Sequence, residues 1–227
     1  MPNLKKTLVI DRSSTLPSFA LFEEATLLCQ HQWTGEPTRA PEWLAEVRGC
    51  LAAQQISFDA IDQYVCGLGP GSFSGIRACL AAILGLALPT KTPVYGVASA
   101  AAIASALPDA CVTVVGDARR NRLWCVTYRK EGASQRLVLA NGQTPTHTAN
   151  DFTLVESGLL GSLIPKASRV VSTDWTRLEK FLASACAPEH LISAPVTVTA
   201  EAIGRLALSD PTALKLEPSP IYLHPAV

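Results

Sequence analysis

The chain has 227 residues, and its 19 lysines and arginines balance 19 aspartates and glutamates, so the formal net charge is +0. Charged residues are only 17% of the chain and hydrophobic residues 48%, a composition too apolar for a disordered protein. A neutral chain without a basic block is not expected to bind nucleic acid alone, because phosphate neutralisation needs clustered Lys and Arg. So little charge on a neutral protein predicts that it has a partner.

The first half of the chain predicts the element order βββαβαβα from its apolar periodicity. Three short apolar runs at 7–10, 18–22 and 26–33 predict an antiparallel meander. Helical spacing of apolar residues then predicts a helix that ends near Gln54. The remaining elements of this half are a strand at 60–66, a helix from Ser74 to Leu88, a strand at 94–97 and a helix from Ser99 to about 106.

The second half also predicts a mixed α/β arrangement. Strands are expected at 111–115, 123–128, 136–139, 170–172 and 195–198, with a loop-rich region over 141–166. Asp174 is expected to cap a helix that runs to Cys186, and Thr199 to cap a last amphipathic helix. An extended tail follows from Leu216. We therefore predict two domains, 1–107 and 108–227, with the last helix and the tail in the second.

The cysteines and histidines predict no metal site. The seven cysteines are dispersed without a CxxC pair, and the four histidines are far apart, so metal-ligand spacing is not visible. Buried free thiols in a reducing cytoplasm are expected instead. No apolar run reaches the length of a membrane span, and the N-terminus does not resemble a signal peptide. These features predict a cytoplasmic protein.

The most unusual segment is GLGPGSFSGIR, residues 67–77, which follows a predicted strand. Its glycines are consistent with a phosphate cradle, with close approach of another backbone, or with a sharp turn. The segment matches neither standard phosphate-loop pattern: Ile76 stands where the P-loop needs Lys, and the dinucleotide spacing fails from both Gly67 and Gly69. Ser72 and Ser74 are expected to be helix caps rather than nucleophiles, since no residue spacing typical of a catalytic triad accompanies them.

The helix after this segment is apolar on nearly every side, with Arg77 as its only charged residue. A helix that is hydrophobic all round is buried all round. One face is expected on the sheet, and the other either on a second subunit or on a second layer inside the chain. Arg77 then either pairs with a carboxylate of the partner or extends to solvent. The predicted interface residues are Phe73, Ser74, Ile76, Arg77, Leu80, Ala81 and Leu84.

These segments resemble the TsaB family, also called YeaZ, whose members take part in making threonylcarbamoyladenosine in tRNA. The resemblance rests mainly on GLGPGSFSGIRACLAAILGLA and VYGVASAAAIA, and it extends more weakly to residues 8–11, 117–120 and 220–223. It is strong only from about Asp59 to Ala106. The chain departs from the family pattern at three positions: Ser74 replaces Thr, Asn121 replaces Gly, and Arg12 stands where Thr usually follows Asp11.

The resemblance implies an α/β fold of the actin-like, ribonuclease-H-like two-lobe type, with mixed sheets flanked by helices. It also implies a non-catalytic scaffold that pairs with a TsaD-type transferase through the first lobe, alongside a TsaE-type ATPase, or that forms a homodimer through the same helix. TsaD uses a metal held by a His-x-x-x-His motif, and this sequence has no such motif. Contact with tRNA is then expected only indirectly, and a membrane partner is not expected.

Asp11, Ser13, Asp117 and Arg119 are the candidate contacts for a nucleotide or phosphate, because active members of this fold bind Mg–nucleotide at such strand ends. The alternative is that both aspartates only cap turns, and that the arginines near residue 120 form a solvated face. We expect no cofactor bound by this chain alone, with any Mg–ATP or Mg–ADP at the interface with its partner. An active ATPase or small-molecule kinase of the same fold is the alternative function.

Overall fold

The computed structural model of the chain describes residues 4–34, 40–210 and 213–223. The chain forms two compact units, each with its own sheet. The first comprises Met1–Ser99 and Thr199–Pro220, and the second comprises Ala100–Val198 and Ile221–Val227.

The first unit is built on a six-stranded mixed sheet. Its strands are β1 (Lys6–Asp11), β2 (Ser18–Glu23), β3 (Thr26–Gln32), β4 (Gln63–Gly67), β5 (Val94–Val97) and β11 (Lys215–Leu216). Their order is β11-β5-β4-β1-β2-β3, in which β1, β2 and β3 form the predicted antiparallel meander. Strands β1, β4 and β5 run parallel. The helices are α1 (Ala40–Ala53), α2 (Phe73–Ala87) and α6 (Ala200–Ser209), and α3 (Ser99–Ala106) begins at the end of the unit.

The centre of this sheet is covered on both faces. Every residue of β4 is buried, as expected for a parallel strand with apolar side chains toward both layers. Both α2 and α6 contact β4. The predicted order βββαβαβα of the first half is confirmed, and the predicted bounds of α2 are shifted by one residue at each end.

The last helix corrects the predicted domain boundary at residue 107. Although α6 was expected in the second domain, it packs on β1, β2 and β4 of the first unit. Its Ile203 is fully buried, and Gly204 lies so close to the Phe22 ring that a Cβ there would come within 2.3 Å of it. The helix thus completes the first core after the chain has formed the second unit, a long-range contact that no local sequence pattern encodes.

The second unit contains a five-stranded sheet. Its strands are β6 (Cys111–Asp117), β7 (Arg122–Glu131), β8 (Arg136–Leu139), β9 (Thr153–Glu156) and β10 (Arg169–Ser172). The order is β10-β6-β7-β8, and β9 also pairs with β7. The hairpin of β6 and β7 was predicted, as was β8. Helices α4 (Leu160–Leu163) and α5 (Trp175–Ala185) complete the unit.

Three details of the second unit differ from the sequence-based expectations. The region 141–166, expected to be loop, contains β9 and α4, which are too short to show a clear period. Residues 195–198 are irregular within the described range 40–210, and only Val196 N bonds to β10, at the Ser172 carbonyl. Asp174 does precede α5, but its carboxylate accepts from Asp117 N at 2.9 Å rather than capping the helix.

Within the described residues, no helix combines the length and the apolar character that crossing a membrane requires.

Candidate functional site

Three parallel strands of the first unit end beside one another, and their ends carry the polar residues of this region. Asp11 ends β1, Gly67 ends the adjacent β4, and Ser99 follows β5 by two residues. Because parallel strands present their carboxyl ends at the same edge of a sheet, residues far apart in sequence meet here. The candidate residues Asp11 and Ser13 lie at this edge.

The Asp11 carboxylate is fully buried and engaged in hydrogen bonds. Its oxygens accept from Ser13 N at 3.2 Å, from Ser13 Oγ at 2.8 Å and from Ser99 Oγ at 3.2 Å. Ser99 Oγ in turn accepts from Gly69 N at 3.1 Å. Burial raises the pKa of Asp11 from 3.8 to about 6, although the bonds from Ser13 and Ser99 oppose that shift. Within this unit, Asp11 and Ser13 therefore tie the glycine segment to β1.

The glycines of the segment allow a second stretch of backbone to approach closely. A Cβ on Gly71 would lie 2.0 Å from the Ser13 carbonyl oxygen, and one on Gly75 would lie 2.1 Å from the Arg12 carbonyl oxygen. Ser72 N donates to the Ser13 carbonyl at 2.7 Å. Of the three explanations open at the level of sequence, these distances directly support close backbone approach. Ser72 is the helix cap, since its Oγ accepts from Gly75 N.

Arg12, one of the three residues that depart from the family pattern, is turned into the first unit. It is 7% exposed, and its guanidinium lies 5.1 Å from the centroid of the Trp43 ring on α1. Burial lowers the pKa of Arg12. The side chain therefore contributes a cation–π contact between β1 and α1, rather than a phosphate contact on the surface of this unit.

Helix α2 has a buried face and an exposed apolar face. Its buried residues are Ile76, Cys79, Leu80, Ile83 and Ala87. This corrects two of the predicted interface residues: Ile76 is fully buried and Leu80 is 6% exposed, because both pack inside the first unit. The sequence did not separate the two faces, since both are apolar.

The other five predicted residues are exposed, and together with two further positions they form what we term the outer face of α2. It follows one side of the helix at spacings of three and four residues. Phe73 is 45% exposed, Leu84 49% and Leu88 78%. The Arg77 guanidinium lies 5.0 Å from the centroid of the Phe73 ring. The outer face comprises Phe73, Ser74, Arg77, Ala81, Leu84, Gly85 and Leu88.

Asp117 and Arg119 lie in the second unit and contact each other. Arg119 N donates to Asp117 Oδ1 at 2.7 Å, and the Asp117 carboxylate also lies 3.3 Å from the Arg177 guanidinium. Residues 119, 120 and 121 all have positive φ, a conformation costly for residues other than glycine. Asn121, which stands where the family has Gly, therefore has a backbone conformation that favours Gly. Asn tolerates positive φ better than most other residues.

Sequence reasoning missed three residues that take part in these arrangements. Leu88 continues the outer face four residues after Leu84, a spacing that extending the helical period would have found. Ser99 was predicted only as a helix start, although the common edge of β1, β4 and β5 brings it to Asp11. Asp174 reaches Asp117 through a contact across 57 residues, which leaves no local signal.

In the described part of the chain, no group of three or more His, Cys, Asp or Glu side chains is placed to hold a metal ion.

The chain is similar to a known protein family and to several solved structures. A family model described as "TsaD: tRNA N6-adenosine threonylcarbamoyltransferase" matches residues 42–150, a span that includes α2. Two solved structures from Pseudomonas aeruginosa match almost the whole chain. The two structures show the fold of this chain, and the family model shows a TsaD-like segment within it.

The first of these structures is an uncharacterised protein similar to peptidase YeaZ, with a TM-score of 0.77, 22% identity and coverage of 97% of this chain and 100% of that chain. The second is YeaZ itself, with a TM-score of 0.75, 21% identity and the same coverage. This chain shares the fold of these two structures, and its two mixed sheets flanked by helices agree with the predicted arrangement. The match spans both units, including residues 141–193, where the sequence resemblance is weak.

Proposed function

We propose that this protein is a non-catalytic scaffold subunit for tRNA threonylcarbamoyladenosine modification, and that it binds a TsaD-type transferase through the outer face of α2. The observation that carries the proposal is an exposed apolar helix face within the segment that the TsaD family model matches. Isolated exposed apolar side chains are common, but a row of them along one helix is typical of a protein interface.

The chemistry of the outer face suits a helical partner. Small residues at Ser74, Ala81 and Gly85 allow close approach of another helix, and the larger Phe73, Leu84 and Leu88 supply apolar area. Arg77 is the only charged residue of α2. A partner surface that is apolar, with a carboxylate or an aromatic ring near Arg77, would complement it. The same face serves a homodimer when the partner is absent, and a TsaE-type ATPase completes the proposed complex.

The decisive experiment is binding of the full chain to the TsaD-type chain of the same host, by co-purification and titration calorimetry. Leu84→Asp places a charge in the outer face and is expected to reduce affinity at least about 100-fold, the scale of an interface hot spot. Leu163→Asp is the matched control, because Leu163 is 46% exposed and lies on α4 of the second unit. Equal binding by Leu84→Asp and the wild type, with both folded by circular dichroism, would refute the proposed face.

The alternative of an active ATPase or kinase is less consistent with the first unit. It requires Asp11 to serve Mg–nucleotide, yet this carboxylate is fully buried and accepts hydrogen bonds from Ser13 and Ser99. We propose that the chain alone turns over no nucleotide, and that any Mg–ATP or Mg–ADP is bound with the partner. Mg-dependent ATP hydrolysis by the isolated chain, lost in Asp11→Asn or Asp117→Asn, would contradict this.

Contact with tRNA is proposed to be indirect, through the transferase. Arg119 and Arg120 are exposed on the turn between β6 and β7. They are the residues we would expect to contact tRNA phosphates if this chain bound tRNA directly. The isolated chain is expected to bind tRNA no more tightly than a neutral control protein at physiological salt. Salt-sensitive tRNA binding that Arg119→Ala weakens would show a direct contact instead.

A further inference from the structure

Strand β3 and helix α1 of the first unit meet along matching rows of side chains. At one end the Trp33 and Trp43 rings are in edge contact, with centroids 6.3 Å apart. Trp33 Nε1 donates to the Glu46 carboxylate at 2.5 Å, and His31 Nε2 lies 3.7 Å from the same group. The strand and the helix run in opposite directions here. Trp33 therefore lies opposite Trp43, and His31 lies opposite Glu46.

The next position of each row is a cysteine. Cys29 lies two residues before His31, on the same face of the strand, and Cys50 lies four residues after Glu46, on the same face of the helix. The Cys50 side chain is close enough to Cys29 to affect its ionisation. Burial, together with the neighbouring Cys50 side chain, raises the pKa of Cys29 to about 11. The register of the two rows thus brings together two cysteines that the sequence separates widely.

This pair is more exposed than the three buried cysteines, and it differs from the other two half-buried cysteines because its members lie next to each other. Cys66, Cys79 and Cys125 are buried, whereas Cys29 and Cys50 are half-buried and therefore open to small reagents. This also corrects the expectation that the thiols are generally buried, because Cys111 and Cys186 are half-buried as well.

We propose that Cys29 and Cys50 form an oxidisable dithiol pair, which a peroxide converts into a disulfide that ties α1 to β3. Because the raised pKa of Cys29 disfavours its thiolate, the Cys50 thiolate attacks a peroxide oxygen, giving a sulfenic acid and, with the proton it released, one water. The second thiol then attacks the sulfenic sulfur, and a second water leaves as the S–S bond forms. Two thiols and one hydrogen peroxide thus give one disulfide and two waters.

The disulfide would act on the fold rather than on a catalytic centre. The disulfide would close a loop that contains the Trp33–Trp43 contact. The Arg12 guanidinium lies over the Trp43 ring. Such a closure restricts the unfolded chain and fixes α1 on the sheet. Because α1 and α2 both belong to the first unit, oxidation would rigidify the unit that carries the outer face without changing a residue of that face. The inference does not depend on the proposed function.

The test uses the reduced full chain treated with hydrogen peroxide under native conditions, then blocked with N-ethylmaleimide, digested and mapped by mass spectrometry without reduction. The expected product is a Cys29–Cys50 cross-link that weighs about 2 Da less than the two free peptides and disappears with dithiothreitol. The thermal midpoint of the oxidised protein is expected to rise by about 5 to 10 °C. Both effects should be lost in Cys29→Ser and in Cys50→Ser and retained in Cys186→Ser, the matched half-buried control.

Two results would overturn the proposal. One is oxidation of Cys111 or Cys186 while Cys29 and Cys50 remain separately labelled with N-ethylmaleimide. The other is a cross-link that forms only in urea and lowers the thermal midpoint, since it would show that the native pair cannot adopt disulfide geometry. The cross-link is mapped on the wild-type chain, so neither result depends on how well a serine variant folds.

Discussion

The Ser99 hydroxyl donates a hydrogen bond of 3.2 Å to the Asp11 carboxylate, across 88 residues of sequence. Ser13 donates to the same oxygen at 2.8 Å, and Ser13 Oγ lies 2.9 Å from Ser99 Oγ. The three side chains therefore form one buried polar cluster where β1 ends. Because Asp11 is ionised at neutral pH while fully buried, the cluster links the stability of the first unit to pH.

Asp11 is expected to make the folded state less stable as pH rises. Its folded pKa of about 6 lies above the ordinary 3.8, so the folded state binds the proton more tightly than the unfolded state does. Its contribution is therefore most favourable below pH 3.8, declines through the window up to about 6, and is unfavourable and constant above it. Relative to Asp11→Asn, the wild type should lose about 2 kcal/mol of unfolding free energy between about pH 4.5 and about pH 7.5.

Urea unfolding of both proteins at the two pH values measures this difference. The comparison with Asp11→Asn removes the contribution of the other carboxylates, which titrate in both proteins. Parallel pH profiles for the two proteins would show that Asp11 is not desolvated as the structure has it.

Gly71→Ala is expected to destabilise the protein by about 1 to 3 kcal/mol, the usual cost of overpacking. The new Cβ would lie 2.0 Å from the Ser13 carbonyl oxygen, a backbone atom that cannot rotate away. Gly49→Ala is the matched control, because no atom of the described residues lies within 4 Å of a Cβ built there. That change in α1 should instead stabilise by about 0.5 to 1 kcal/mol. Unfolding curves that rank the two substitutions in the opposite order would contradict the close backbone approach.

The two faces of α2 are expected to respond differently to a charge. Leu80→Asp buries a carboxylate at a 6% exposed position and should cost about 3 to 5 kcal/mol or unfold the chain. Leu84→Asp, at a 49% exposed position, should change the unfolding free energy by less than about 1 kcal/mol. Thermal unfolding followed by circular dichroism measures both. Similar losses in the two variants would mean that the outer face is part of the core.

The sequence sufficed for features that depend on local periodicity. The order of the first eight elements, the β6–β7 hairpin and the bounds of α2 to within one residue all follow from apolar spacing and from the glycine-rich turn. The inward and outward faces of α2 could not be separated, because Ile76 and Leu84 are equally apolar and only the position of the sheet distinguishes them.

Two contacts of the first unit depend on how its elements pack in three dimensions, and the sequence did not predict them. Ala200 N bonds to Ser18 Oγ across 182 residues, and this contact places α6 in the first unit instead of the second. The pairing of Cys29 with Cys50 likewise arises only when a strand of period two is laid against a helix of period 3.6. The cysteines are dispersed along the sequence, but Cys29 and Cys50 are neighbours in the folded first unit.

The first turn of α6 provides a test of how firmly the end of the chain is held in the first unit. Thr199 Oγ1 accepts from Ala202 N at 3.1 Å, and Ser18 Oγ accepts from the buried Ala200 N at 2.8 Å. Thr199→Ala should cost about 1 kcal/mol, and Thr199→Ser should restore most of it because the hydroxyl is kept. Ser18→Ala should cost about 1 to 3 kcal/mol, since it leaves a buried donor without its acceptor. Hydrogen exchange of 200–209 should accelerate in both alanine variants, whereas unchanged exchange would show that apolar packing alone holds α6.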